Sequence, residues 1–278
     1  MALTDGIAVE RLDAGALAGA LALSQEAGWN QAADDWRIFF RAGTVFGVRD
    51  GENLVATGAV LPYDGFGWIS MVLTTAAARG RGLGTAILRH AIAALGESCR
   101  VPVLDATPQG ERIYRPLGFE PVTPLWRWRG RGRGSGPLSA GVRRAKADDL
   151  AAIVAADAAA FGAARPWLIP SLMERAPQVA FVTDGGSFVL GRPGRAALQV
   201  GPLVASDEAE ALRLLTAALS ATEGPVLIDV VEGRAAVEAH LARAGFARER
   251  PYLRMAHGRA TPFGEQSRLF AIAGPELG

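Results

Sequence analysis

Apolar residues recur along this chain at two spacings, every second position over short runs and every third or fourth over longer ones, in an order that is run through twice. Residues 7–12, 44–49, 53–60 and 66–73 read as strands, and residues 14–27 as a helix. Asp50-Gly51 and Tyr63-Asp64-Gly65 are turn signals between the later strands, so 44–73 predicts an antiparallel meander. Ile87, Leu88, Ala91, Ile92 and Leu95 form one helical stripe, and the apolar strand 101–106 returns behind it, which predicts a parallel strand pair. A short helix over 109–117 ends at Gly118, and 119–128 supplies the last strands of this half.

After residue 140 the order returns more faintly. Strand 142–145, helix 149–160 opened by Asp148, strands 179–183, 187–190 and 196–204, helix 208–219, strand 226–231, helix 235–244 and a closing strand over 268–274 follow one another. Gly118-Phe119 and Gly245-Phe246 punctuate the two halves alike, which predicts two copies of one fold. Between them Arg129-Gly130-Arg131-Gly132-Arg133-Gly134-Ser135-Gly136-Pro137 loses its periodicity and predicts a linker. An Arg-Gly run can also meet RNA, but this one is short and lacks interleaved aromatics. The expected layout is a domain over 1–130, a linker over 131–140 and a second domain over 141–278. A length of 278 residues agrees with it, at roughly 150 residues per domain.

Charge narrows the partners. Basic and acidic residues number 29 and 28, and a net charge of +1 supplies no overall field for nucleic acid or anionic lipid. The apolar run 14–23 is too short to span a bilayer and no basic leader precedes it, so the expectation is a cytoplasmic protein without membrane or nucleic-acid partners. Cys99 is the sole cysteine, which excludes an intramolecular disulfide and a multi-cysteine metal site. His90, His240 and His257 stand at non-ligand spacings, and no metal is expected. Lys146 is the sole lysine, which leaves no lysine for a Walker-type phosphate loop.

The informative segment is Leu73-Thr74-Thr75-Ala76-Ala77-Ala78-Arg79-Gly80-Arg81-Gly82-Leu83-Gly84-Thr85, between an apolar strand and an amphipathic helix. Glycines at 80, 82 and 84 let backbone N–H groups converge, and the helix start adds unpaired donors and a positive dipole end. Such a turn is an anion cradle, with Arg79 and Arg81 placed to reach phosphate oxygens. A dinucleotide fold would use Asp105 at the end of the next strand for a ribose. Its fingerprint lacks the third glycine here, since Thr85 stands at that position, and the loop follows a meander instead of a first strand.

In these residues the chain resembles the GNAT superfamily of acetyl-CoA-dependent N-acetyltransferases. Arg79-Gly80-Arg81-Gly82-Leu83-Gly84 matches the family's pyrophosphate loop, and Tyr114-Arg115-Pro116-Leu117-Gly118-Phe119 matches its tyrosine followed by Gly-Phe. The resemblance implies an α/β (α+β) fold in tandem, each domain a mixed, mostly antiparallel sheet flanked by helices with a splayed central parallel strand pair. It implies acetyl-CoA as co-substrate, held by Leu73, Thr74, residues 79–85 and Thr107, the last standing where many members carry an asparagine. Tyr114 matches the usual general acid, and a phenol with a pKa near 10 suits protonation of a departing thiolate. No carboxylate lies on 66–73 to act as base, which leaves a carboxylate from elsewhere, with Asp105 a candidate that equally suits a buried structural role, or a water chain past Ser70. The acceptor, a small-molecule amine, is expected near 29–36, Tyr63 and Trp68, where acids adjoin aromatics.

The second half lacks both motifs. Ala205-Ser206-Asp207 replaces the glycine loop and Leu241 stands where the tyrosine belongs, so the resemblance implies a degenerate C-terminal copy. An acyl-CoA sensor without turnover and a nicotinamide oxidoreductase are the alternative readings. Oligomeric state and acceptor identity stay open.

Overall fold

The computed structural model describes residues 7–134, 136 and 138–278; Ser135 and Pro137 of the expected linker lie outside the described residues. The chain forms two compact units, one running through Leu104 and including Ala256–Gly258, the other comprising Asp105–Met255 and Arg259–Gly278.

In the first unit, β1 (Glu10–Leu12) is followed by helices α1 (Leu17–Glu26) and α2 (Ala33–Ala42), strands β2 (Thr44–Asp50), β3 (Asn53–Pro62) and β4 (Phe66–Thr74), helix α3 (Leu83–Glu97) and strand β5 (Val101–Ala106). Strand order is β1-β2-β3-β4-β5, antiparallel except for β4 and β5, which run parallel. The expected meander is therefore present. Helix α2 begins within 29–36, the segment expected from sequence to contribute to the acceptor pocket. Its amphipathic stripe of buried Trp36, Ile38 and Phe39 was masked there by the neighbouring acids and polar residues.

Glycines on β3 and β4 set how closely α3 approaches. A Cβ at Gly67 would fall 2.1 Å from Leu95, and one at Gly58 2.3 Å from Ile87, so both bare positions face α3. Alternation along the strand then turns Trp68 and Ser70 to the opposite sheet face. Around the start of α3, Leu83 and Ile87 pack with Ala78, Val48, Val55 and Ala56.

The second unit contains α4 (Pro108–Tyr114), β6 (Phe119–Arg133), β7 (Val142–Arg144), α5 (Leu150–Phe161), α6 (Leu168–Arg175), β8 (Phe181–Thr183), β9 (Phe188–Arg192), β10 (Leu198–Val204), α7 (Glu208–Ser220), β11 (Glu223–Val231), α8 (Ala235–Arg243), β12 (Ala247–His257) and β13 (Leu269–Ala271). Its strands are ordered β12-β6-β11-β13-β10-β9-β8-β7. Trp128, Val226, Ile228, Leu214, Leu241 and Phe246 form much of the core, with α7 and α8 against the sheet.

The compact units divide after Leu104, ahead of the 131–140 linker expected from composition. Arg129 to Arg133 are instead the end of β6, paired in register with Leu227 to Glu223. The physical reason lies in the glycines. A Cβ at Gly130 would meet the Phe246 ring at 2.3 Å, and one at Gly132 the Thr222 carbonyl at 2.1 Å. Alternating glycine here serves close packing in a strand, a role whose composition is indistinguishable from that of a flexible run.

Candidate active site

The cradle is built at the start of α3. Gly80 and Gly82 take φ of +77° and +79°, a left-handed backbone that glycine alone adopts at little cost. Gly82 is the N-cap of α3, no side chain caps that end, and no acid lies in the first turn. The orphan N–H groups and positive dipole end of this 15-residue helix thus meet neither a capping side chain nor a first-turn acid among the described residues. Leu83 is buried in the core and anchors the turn; Arg79 and Arg81 are exposed. Arg81 donates from Nη1 to Asp50 at 3.0 Å, a solvent-exposed pair of the kind that contributes about 0–1 kcal/mol and yields easily to a better partner. Gly84 sits with its Cβ position 3.6 Å from the Thr74 hydroxyl, and Thr85 is half-buried on the first turn.

Glu26, the last residue of α1, fixes the strand-to-loop passage. Its carboxylate accepts from the Thr75 hydroxyl at 2.7 Å and from the Ala76 N–H at 2.6 Å, and these bonds hold its pKa below the usual carboxylate value. Fifty residues separate the partners, so no local pattern announces the contact.

Strand β4 changes character halfway. It pairs with β5 only over Phe66–Trp68 and Val101–Val103. Beyond, the strands splay, and the register against β3 shifts so that Met71 and Val72 together oppose Gly58. Met71 has φ +54°, uncommon for a side chain of its size, and its carbonyl accepts from the buried Thr57 hydroxyl at 3.0 Å. This bulge re-aims the backbone just ahead of Leu73 and Thr74, which pair with Thr57 and Ala56. The sequence reading singled out Leu73 and Thr74 and missed Met71, because a bulge leaves no mark on hydrophobic alternation. Beside it, the Ser70 hydroxyl is buried with no hydrogen-bond partner among the described residues. Such a group marks a place where a polar atom from outside the chain can sit.

Of the expected acceptor aromatics, Trp36 and Trp68 are fully buried core residues and Tyr63 is nearly so. The Trp36 indole donates to Ser24 at 2.9 Å. Asp35 accepts from the Ala32 N–H at 2.8 Å as the cap of α2, and Asp34 pairs with Arg37 on the surface.

Thr107 and Tyr114 belong to the second unit. Thr107 caps α4, its hydroxyl accepting from the Gly110 N–H at 3.2 Å. Gly110 lies against the Tyr114 ring: a Cβ there would come within 2.8 Å of the ring carbons and 3.2 Å of the hydroxyl. Phe119 packs against the tyrosine ring in a tilted arrangement, 6.0 Å between centroids. Burial pushes the phenol up to about 12, so it keeps its proton throughout the neutral range. Asp105 is gripped by Arg254 in a bidentate pair at 2.9 and 3.0 Å, and burial holds its pKa above the usual carboxylate value.

The corresponding parts of the second unit are closed. β10 and β11 pair in parallel over Leu198–Val200 and Val226–Ile228, and where they would splay, β13 enters and pairs with both. Arg234 fastens that strand, donating to the Leu269 carbonyl at 3.2 Å and stacking over Phe270 at 4.6 Å. The start of α7 is filled by its own acids: Asp207 accepts from the Glu210 N–H at 2.8 Å, and Glu208 and Glu210 occupy the first turn.

Comparison with known proteins agrees with this geometry. Residues 17–119 match the acetyltransferase (GNAT) family, and residues 153–271 match a second acetyltransferase (GNAT) domain. The chain carries two GNAT domains in tandem. An uncharacterized N-acetyltransferase of Bacillus subtilis, YitH, is 23% identical over 271 residues, covering 94% of this chain and 95% of its own. The fold also resembles a candidate acetyltransferase from Pyrococcus horikoshii, with a TM-score of 0.82 at 18% identity over 100% of this chain and 98% of that one. A tandem GNAT protein from the clavulanic acid biosynthesis pathway aligns at a TM-score of 0.64 and 15% identity, over 90% of this chain and 98% of that one. Among the described residues no helix is long and apolar enough to cross a membrane, and no group of potential ligands could hold a metal ion.

Proposed function

We propose that the N-terminal GNAT domain uses acetyl-CoA to acetylate the primary amine of a small molecule by direct attack in a ternary complex, while the C-terminal domain has lost cofactor binding. One observation carries this reading: the start of α3 is uncapped and acid-free after two left-handed glycines, whereas the start of α7 is filled by its own carboxylates. The N–H groups of residues 82–85 would take the pyrophosphate, with Arg79 and an Arg81 released from Asp50 closing on its oxygens. Acetyl-CoA supplies an activated acetyl thioester. Leu73 and Thr74 would receive its pantetheine arm where β4 leaves β5, and the re-aimed backbone at Met71 would supply an N–H toward the thioester oxygen, the site of developing charge.

Ser70 has a buried hydroxyl with unused capacity on the same strand, and in this reading it holds the acceptor nitrogen or the water that takes its proton. Asp105 is held on Arg254 through both carboxylate oxygens, which favours Ser70 for that task. Tyr114 would give the proton to the departing thiolate, and Thr107 serves it by capping the helix on which it rides.

A thiol-release assay with a panel of amines tests the proposal. CoA should appear in proportion to both acetyl-CoA and a competent amine. Tight acetyl-CoA binding with no amine-dependent release would make the protein a sensor, and preferential binding of a nicotinamide dinucleotide would remove the acetyltransferase reading altogether.

A further inference from the structure

A cleft lies within the second unit between the end of β6, α7 and α8, with Leu219, Ala244 and Phe246 supplying an apolar part of its lining. Its volume is about 110 Å³, and its walls carry Arg131 and Arg133 of β6, Thr216 and Ser220 of α7, and His240 and Arg243 of α8. Arginines at nearby positions of the same unit are paired: Arg127 with Asp229, Arg129 with Glu249, Arg248 with Glu238. None of the three arginines of the cleft has an acidic partner among the described residues. Glu223 stands opposite Arg133 in register across β11, yet makes no ion pair with it. The walls thus carry three exposed arginines whose positive charge has no acidic partner among the described residues.

We propose that this cleft binds one phosphate-type oxyanion, free or as the terminal group of a small phosphomonoester. The donors suit it. Thr216 gives its own proton to the Leu212 carbonyl at 2.7 Å, so its oxygen accepts from His240 Nε2 at 3.3 Å. That fixes the neutral imidazole with its proton on Nε2 and leaves Nδ1 to become a second donor on protonation. Burial, Arg243 and Arg133 together hold His240 below its usual pKa. A dianion in the cleft would reverse the effect of the two guanidinium groups. Arg133 and Arg243 offer forked donors and Ser220 a hydroxyl, the donor types that a tetrahedral oxyanion takes up. The volume sets the size of what is recognised. Sites that enclose a drug-sized molecule measure about 300–1,000 Å³, so this one takes a single group, with the rest of any ester outside. A nucleic acid would need a longer groove and stacking faces; Phe246, the aromatic of the lining, is a buried residue packed against Gly130.

The full-length chain, in phosphate-free buffer at low salt, provides the test. Inorganic phosphate is titrated while the ring protons of His240 are followed by NMR; the chain has three histidines, and His240→Gln assigns the signal by its loss. The expected result is a saturable shift with a rise in the His240 pKa, not reproduced by sodium chloride of equal ionic strength. Arg133→Gln/Arg243→Gln should weaken binding about tenfold or more with an unchanged circular dichroism spectrum, while Arg89→Gln on α3 leaves it unaltered. Glycerol phosphate binding more tightly than inorganic phosphate would identify a phosphomonoester as the source, and equal or weaker binding would identify free phosphate. A non-saturable response, or one indifferent to the double substitution, would overturn the proposal. Binding of an RNA oligonucleotide at this face without binding of inorganic phosphate would overturn it as well.

Discussion

Arg254 holds Asp105 through both carboxylate oxygens, Nε and Nη2 donating at 2.9 and 3.0 Å, with side chains 7% and 0% exposed. A pair so buried is stabilising only as a pair. Arg254→Met alone should destabilise the protein by about 3–5 kcal/mol, because it strands an uncompensated carboxylate, whereas Arg254→Met with Asp105→Leu should recover most of the loss. Urea unfolding followed by tryptophan fluorescence checks both, and an unaffected single variant would show that the pair contributes nothing.

The cradle makes a binding prediction. Calorimetry should find one acetyl-CoA per chain. Gly82→Val should abolish that binding, since valine at φ +79° is strained and its branches obstruct the backbone. Gly84→Ala is the cleaner variant: its added methyl meets the Thr74 hydroxyl at 3.6 Å and Val72 Cγ1 at 3.9 Å, both ordinary contacts, so the fold should survive while affinity falls by about tenfold or more. Two equivalent sites per chain would contradict the closed start of α7.

Tyr114 makes a kinetic one. Tyr114→Phe should lower kcat by about 10²-fold with acetyl-CoA affinity unchanged. With its phenol near 12, this group should cause no alkaline decline of kcat below about pH 10. Near-normal turnover in the phenylalanine variant would remove Tyr114 from the mechanism.

Asp149 makes a prediction about acid stability. Hydrogen bonds from Arg143 and the Lys146 N–H lower its pKa from 3.8 to about 2. A depressed folded-state pKa means that the unfolded chain takes the proton first, so the stabilisation is present above pH 3.8 and is lost as the pH falls toward 2. Asp149→Asn should be less stable than the parent at pH 7 and equal to it near pH 2, as read from thermal midpoints across that window.

By itself the sequence determined the two rounds of strands and helices, the tandem layout and the glycine loop. Each rests on local physics: strand and helix periods, turn residues, and the left-handed backbone that only glycine takes readily. It also distinguished the halves, because Asp207 and Glu208 at a helix start are as local as Gly80 and Gly82. The tertiary structure decided what depends on partners far apart in the chain. Glu26 reaches Ala76, Asp105 meets Arg254, and β13 enters between β10 and β11, each pairing set by packing of whole elements and invisible to any window of neighbouring residues. The bulge at Met71 comes from the register of β4 against β3, and the strand over Arg129 to Arg133 from Phe246 and Thr222 pressing on bare glycines. Composition carries the same letters for a linker and for a close-packed strand, and only the surface that meets those glycines tells them apart.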